Sequence, residues 1–240
     1  MGDYRKVFAK RHTFLTVIHT DNHWQVIENV AISKDNGADG AFLINHVKPA
    51  HLLIEIYAKA REKFPNYWIG LNALDLTPTE LLKRTPKELL RSLNGVWSDN
   101  IGLASGLAEN FRHYCENEIG WHGLYFGGVA FKHQHDFTND PQKAAYTALK
   151  ALSFVDVITT SGAATGTPPP VEKIKAMKRE IDDTPLAIAS GLTPENVGSY
   201  LPFADCFLVA TGVSDSFTQL NPYKVRAFHD RCDNYCTRPR

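Results

Sequence analysis

The stretch Ile158-Thr159-Thr160-Ser161-Gly162-Ala163-Ala164-Thr165-Gly166-Thr167 passes from β-branched residues into glycines and short hydroxyls, then through Pro168-Pro169-Pro170 into a segment of helical period. A strand therefore ends in small residues. Such residues let backbone N–H groups approach a ligand's oxygens, which is what phosphate binding without a fixed cation requires. Taken alone, the loop is equally well a tight turn and nothing more. The pattern returns twice, as Ala189-Ser190-Gly191-Leu192-Thr193-Pro194 and as Val209-Ala210-Thr211-Gly212-Val213-Ser214. Three successive strand ends of one kind point to a shared purpose. In (β/α)8 barrels the loops after strands seven and eight commonly build a phosphate site from exposed amides. Ser161, Gly162, Thr165, Gly166, Ser190, Gly191, Thr211 and Gly212 are the phosphate-binding candidates.

Upstream of these loops, runs rich in Val, Ile and Phe alternate with segments of helical period, the signature of repeated βα units around a parallel sheet. Strands are expected at 13–19, 41–45, 68–73, 95–99, 123–131, 155–160, 186–190 and 206–210. Trp24, Ile27, Val30 and Ala31 recur at helical spacing, with Gly37 placed for a left-handed cap. Thr77-Pro78-Thr79-Glu80 and Thr85-Pro86-Lys87-Glu88 both have the form of a capping box with proline at the first helical position. Asp140-Pro141, Pro170-Val171 and Thr193-Pro194-Glu195 offer further helix starts. An open doubly wound sheet would use the same alternation, but the count of eight favours a closed barrel. The expected fold class is α/β, a single (β/α)8 TIM barrel over residues 1–240, with 237–240 a disordered tail.

Composition narrows the function. The 240 residues are 43% hydrophobic and 22% charged, enough apolar side chain for a sizeable core and too much for a disordered chain. The 26 basic residues balance the 26 acidic ones, so no global field draws the chain to nucleic acid or to an anionic membrane. The early apolar run 14–18 is too short for a secretory core or a membrane span, and Lys6 breaks the myristoylation pattern that Gly2 begins. A cytoplasmic address is expected, with a phosphorylated small molecule as ligand, no nucleic acid, no membrane and homo-oligomerisation left open. The four cysteines lack the paired spacing of a zinc site and are read as reduced thiols, although Cys232 and Cys236 lie one helical turn apart. The four tryptophans, Trp24, Trp68, Trp97 and Trp121, follow no spacing with basic residues and are expected in the core or in a pocket wall. No cofactor and no metal is expected.

The residues Asp156-Val157-Ile158, Ser161-Gly162, Ala164-Thr165-Gly166, Ser190-Gly191-Leu192-Thr193-Pro194-Glu195-Asn196-Val197 and Asn221-Pro222 resemble the C-terminal half of the BtpA family. The resemblance is dense from 132 to 228 and thin before that, where only Val17-Ile18-His19 and Ala38-Asp39-Gly40 carry it. It implies a barrel of the ribulose-phosphate-binding type. It implies fold more firmly than activity, since the family is named for a link to photosystem I accumulation and its other members are only predicted enzymes. Two departures fall where chemistry is expected. The family tends to an acidic residue at the position of Ile44, and to an acidic residue and a histidine at those of Gly128 and Ala130.

Other strand ends supply polar groups: His19 and Asp21, Asn45 and His46, Asn72 and Asp75, Asp99 and Asn100, then Lys132, His133, His135 and Asp136. Taken singly, each is better read as a solvated rim residue or a satisfied core group. Lys132 could pair with an anionic substrate, and Asp99 or His133 could exchange a proton near neutral pH, so these three are the catalytic candidates. His133, His135 and Asp136 could be weighed as metal ligands, but no further ligand set of definite spacing accompanies them. Two functions stand: an enzyme acting on a phosphorylated sugar or nucleotide-like molecule by isomerase, transferase or lyase chemistry, and a non-catalytic phosphometabolite-binding regulator or assembly factor.

Overall fold

Eight parallel strands pair in chain order and close, with β1 (Thr13–His19) bonded both to β2 (Gly40–Ile44) and to β8 (Cys206–Val209). Between them run β3 (Trp68–Asn72), β4 (Gly95–Ser98), β5 (Leu124–Gly128), β6 (Val157–Thr160) and β7 (Leu186–Ile188). In this computed structural model residues 2–236 are described, Cys236 by its backbone alone. The expectations for a 237–240 tail and for a Cys232–Cys236 pair lie outside those residues.

The period-2 alternation of each strand divides the apolar side chains into two cores. Leu15, Val17, Phe42, Trp68, Trp97, Phe126 and Leu208 belong to the cluster that fills the barrel, while Phe14, Ile18, Leu43, Leu71 and Phe207 belong to the one beneath the helices. Aromatic rings dominate the interior: Phe42 meets Trp68, Trp97 and Phe126 at centroid distances of 5.1, 5.6 and 5.0 Å, near edge-on. A short helix α1 (Tyr4–Val7) plugs the N-terminal end, its Tyr4 hydroxyl donating to Thr13 Oγ1 at 2.8 Å and Phe8 lying 5.5 Å from the Trp68 ring. The opposite end of the barrel stays open.

The helices follow the sequence punctuation where the caps form. α2 (His23–Asp35) is capped by the Asn22 side chain and stops before Gly37, which takes a φ of 92°. After α3 (Ala50–Lys63), α4 (Pro78–Arg84) carries the expected Thr77–Glu80 capping box. The second box does not form. Thr85 turns its hydroxyl back to the Leu81 carbonyl at 2.8 Å, so α5 (Lys87–Leu90) starts without a side-chain cap. α6 (Leu107–His113) precedes β5, and α7 (Pro141–Ala151) starts at Asp140-Pro141 and α8 (Val171–Ile181) after Pro170, both as expected. Thr193-Pro194-Glu195 opens only a 3-10 turn, Val197–Ser199, because Asn196 takes the Thr193 N–H at 2.9 Å and closes the chain tightly there. The fifth strand is shorter than the expected 123–131: it ends at Gly128, and Ala130 swings to a φ of 46°. α9 (Pro222–Cys236) completes the outer ring. Trp24 is neither core nor pocket wall, since 73% of it is exposed on the outer face of α2.

Candidate functional site

At the C-terminal ends of the strands lies a cavity of about 480 Å³, floored by the top of the aromatic interior: Val17, Ile44, Trp97, Phe131 and Leu208. Its volume is that of a small-molecule site. The three glycine loops line it, and beside them, where β8 pairs with β1, so do the ends of β1 and β2.

The three loops are joined by serine hydroxyls bonded to backbone and by close main-chain contacts. The Ser161 hydroxyl accepts from the Lys132 N–H at 2.8 Å and donates to the Gly162 carbonyl at 2.9 Å. Ser190 repeats the device one loop further, accepting from the Gly162 N–H at 2.8 Å and donating to the Thr167 carbonyl at 2.9 Å. Gly191 sits at a φ of 63°, and a Cβ on it would strike the Pro168 nitrogen; one on Gly212 would strike the Leu192 carbonyl oxygen. Glycine is required at both positions because main chains meet there. Thr165, Gly166, Ser190, Gly191, Thr211 and Gly212 line the cavity, whereas Ser161 and Gly162 are buried behind them as the links of the assembly.

Behind the links lies Lys173 of α8, fully buried, its Nζ donating to the carbonyls of Ala130 and Ser161 at 2.8 Å each. Burial alone pulls its ammonium from 10.5 down to about 8. This lysine lies in register with Met177 and Ile181, four and eight residues on, so its inward position was readable from the helical period, although lysine is rarely buried.

Lys132 and Asp99 both face the cavity, from the loop after β5 and the end of β4. Lys132 Nζ reaches across to Thr165 Oγ1 at 3.3 Å. Asp99 accepts from Asn72 Nδ2 at 3.1 Å, and burial holds its carboxyl above the usual carboxylate range although that bond and the nearby Lys132 charge pull it down. The Lys132 ammonium is lowered by burial and raised in part by Asp99. His133, at a φ of 61°, stands exposed at the cavity rim. His135 and Asp136 open instead into an outer depression beside Tyr146 and Lys150. Among the described residues no three His, Cys, Asp or Glu side chains converge as a metal site.

Ile44 forms part of the cavity wall, and Gly128 has no room for a side chain because the Asp99 backbone lies against it. Asn45 is fully engaged, its Nδ2 donating to Lys48 O at 2.8 Å and Asp75 Oδ1 at 2.7 Å while its Oδ1 accepts the Leu74 N–H at 2.8 Å. The β1 and β2 ends carry a ring cluster that the sequence reading did not assemble. His19 stacks on Phe217 at 4.0 Å and 17°, and His46 lies 4.7 Å from His19 and 5.2 Å from Phe217. Both ring nitrogens of His19 are enclosed without a hydrogen-bond partner, and burial first, then the charges of His46 and Lys132, lower its pKa to about 4. His46 is lowered too, by burial and by Lys132. Phe217 was discoverable as the lone aromatic in the polar run Ser214-Asp215-Ser216-Phe217-Thr218-Gln219.

Solved structures of the same fold include (S)-3-O-geranylgeranylglyceryl phosphate synthase from Thermoplasma acidophilum, with a TM-score of 0.70 at 12% identity over 98% of this chain and 99% of that one. Phosphoribosyl anthranilate isomerase from Thermus thermophilus follows with a TM-score of 0.65 at 14% identity, over 93% and 99%. At such identities the likeness is one of fold. In sequence, the photosystem I biogenesis protein BtpA of Synechocystis is 27% identical over 139 residues, 57% of this chain and 48% of that protein, so the matched stretch spans about half of that relative. An uncharacterised protein of Pyrococcus furiosus is 28% identical over 199 residues, 80% of this chain and 73% of its own length. Among the described residues no helix is long and apolar enough to cross a membrane. The BtpA family model matches residues 85–231, more than half of the chain and the whole arc from β4 to β8 that carries Asp99, Lys132 and the three glycine loops, and the chain belongs to the BtpA family.

Proposed function

We propose that this chain is an enzyme acting on a phosphorylated small molecule, with residues 1–240 working as one barrel domain in the cytoplasm. The observation that carries the proposal is that loops of glycine, serine and threonine, a lysine and a half-buried carboxyl line one cavity at the C-terminal end of the barrel strands. The phosphate lies against the turns at 190–192 and 210–212, with Thr165 and Gly166 at its side. Ser161 and Gly162 contribute by fixing those turns. Lys132 supplies the positive charge, and Asp99 takes and returns a proton. Burial favours the neutral form of Asp99, and a carboxyl moved toward neutrality exchanges protons with substrate more readily than an ordinary one. His133 at the rim is the alternative proton carrier. Isomerase, transferase and lyase chemistry on a phosphorylated sugar or nucleotide-like substrate all use such a pair.

The test is turnover of a phosphate-ester panel by the wild type and by Lys132→Met and Asp99→Asn. Each variant should lose at least about a hundredfold in kcat/KM while keeping its melting temperature. If both retain full activity, the catalytic assignment falls while the phosphate site stands.

A second reading, a phosphometabolite-binding regulator or assembly factor without turnover, is favoured by Ile44 in the cavity wall and by Gly128, where no acidic side chain fits. It predicts thermal stabilisation by phosphate esters with no product formed from any of them.

A further inference from the structure

Next to the glycine loops, where β8 closes onto β1, the cavity wall is built of flat rings. His19, His46 and Phe217 converge there with centroid separations of 4.0 to 5.2 Å, and all three line the cavity together with Trp97 of the floor. The neighbouring amides are already engaged, Asn45 with Lys48, Leu74 and Asp75 and Asn72 as donor to Asp99, and the two His19 ring nitrogens, which have no partner among the described residues, are enclosed. A sugar placed against this wall would lose water from its hydroxyls and find few partners in return, which costs free energy. A planar ring loses little on leaving water and gains stacking and dispersion contacts. The cavity, at about 480 Å³, holds more than a phosphate and a short carbon chain. Phe217 is 52% exposed at the mouth of the cavity, which leaves ring surface for a ligand to cover.

We infer that the β1–β2 side of the cavity is a subsite for a planar aromatic or heteroaromatic ring, so that the ligand is a phosphate ester carrying such a ring at its other end. The inference rests on the phosphate site proposed above for the position of the ester. Phe217 supplies the stacking face, and His19 backs it as a neutral imidazole, one ring nitrogen a donor and the other an acceptor. The loop that carries Phe217 is held to α2, since Gln25 Nε2 and Asn29 Nδ2 donate to the Thr218 carbonyl at 2.5 and 2.8 Å, so the ring is presented by a fixed backbone.

Titration calorimetry on the full chain, with adenosine monophosphate, pyridoxal phosphate and phenyl phosphate as ring-bearing probes and ribose phosphate, glycerol phosphate and inorganic phosphate as ring-free ones, tests this. At least one ring-bearing probe should bind about tenfold or more tightly than every ring-free one, the scale of one ring stacked on an aromatic side chain. Phe217→Ala and Phe217→Leu should both remove that advantage and leave inorganic phosphate binding within twofold, because leucine keeps apolar area but not a flat face. Ring-free probes that bind as well as all ring-bearing ones would overturn the ring subsite and leave the phosphate reading intact. Ring-bearing probes that bind while inorganic phosphate does not, with the gain lost in the Phe217 variants, would sustain the ring subsite and overturn the phosphate reading. Unchanged or tighter ring-probe binding in the Phe217 variants overturns the inference.

Discussion

The two sides of the barrel mouth are built on opposite principles. Around β6, β7 and β8 the wall is made of glycines and short hydroxyl residues: serine hydroxyls and missing Cβ atoms let three loops lock together. Around β1 and β2 the wall is side chain: the His19 imidazole stacks on the Phe217 phenyl, which reaches in from the loop after β8, and His46 meets both at an angle. The first wall is rigid because buried hydrogen bonds and close backbone contacts admit one arrangement. The second is held by ring packing, which tolerates exchange of one flat group for another. A barrel can therefore fix a common ligand group on one arc and vary the partner of that group on the other.

The largest effect expected from this contrast is at Gly191. Its left-handed φ and the Pro168 nitrogen against it mean that Gly191→Ala should cost about 3 kcal/mol or more, read as a shift in the urea midpoint, and should abolish phosphate-dependent stabilisation. A variant that melts like wild type would show that the loops are loosely joined. Next comes the pH response of the ring wall. His19 is held near a pKa of 4 against an ordinary 6.5. Between those values the unfolded chain binds a proton that the folded one refuses, so the His19 contribution is full above 6.5 and is lost as pH falls toward 4, on the order of 2–3 kcal/mol. In His19→Phe, which cannot titrate, the stability curve should be flatter over that window; superimposable curves would mean that His19 is well solvated.

Ser190→Ala should cost about 1–2 kcal/mol, because it leaves the Gly162 N–H and the Thr167 carbonyl each short of a partner. Smallest of all, His46→Ala should change stability by less than about 0.5 kcal/mol, since His46 is exposed and makes ring contacts at the rim. A loss as large as that at Ser190 would erase the distinction between the two walls.

The same contrast explains what could be read in advance. The glycine loops are local in sequence, and 158–167, 189–194 and 209–214 each announce a strand end followed by close-packed main chain. The eight strands were legible because runs rich in Val, Ile and Phe, buried on both faces, alternate with segments of helical period, and the Thr77–Glu80 box because its residues touch one another. The ring wall was not. His19, His46 and Phe217 are separated by 27 and 171 residues, and only closure of β8 onto β1 brings Phe217 over His19. Thr85-Pro86-Lys87-Glu88 misled because the Thr85 hydroxyl had a nearer acceptor in the preceding turn, a competition that spacing does not reveal. Ser161 and Gly162 stood among the expected phosphate contacts, but a short hydroxyl serves equally well to hold a neighbouring loop as to meet a ligand, and here the Ser161 hydroxyl is bonded to the Lys132 N–H and the Gly162 carbonyl.

The enclosed ammonium of Lys173 offers a clock for this machinery. Its Nζ is bonded to the carbonyls of Ala130 and Ser161 and has no path to solvent in the closed structure. An amine-acylating reagent can reach it only when the loops after β5 and β6 part from α8, so its rate of modification under native conditions counts openings of those loops, just as slow amide exchange counts local unfolding. Surface lysines react at once and set the baseline. Any ligand that tightens the loops will slow the Lys173 reaction, while direct contact would shield Lys132 in the cavity, giving a readout of occupancy that needs neither a known substrate nor a measured turnover.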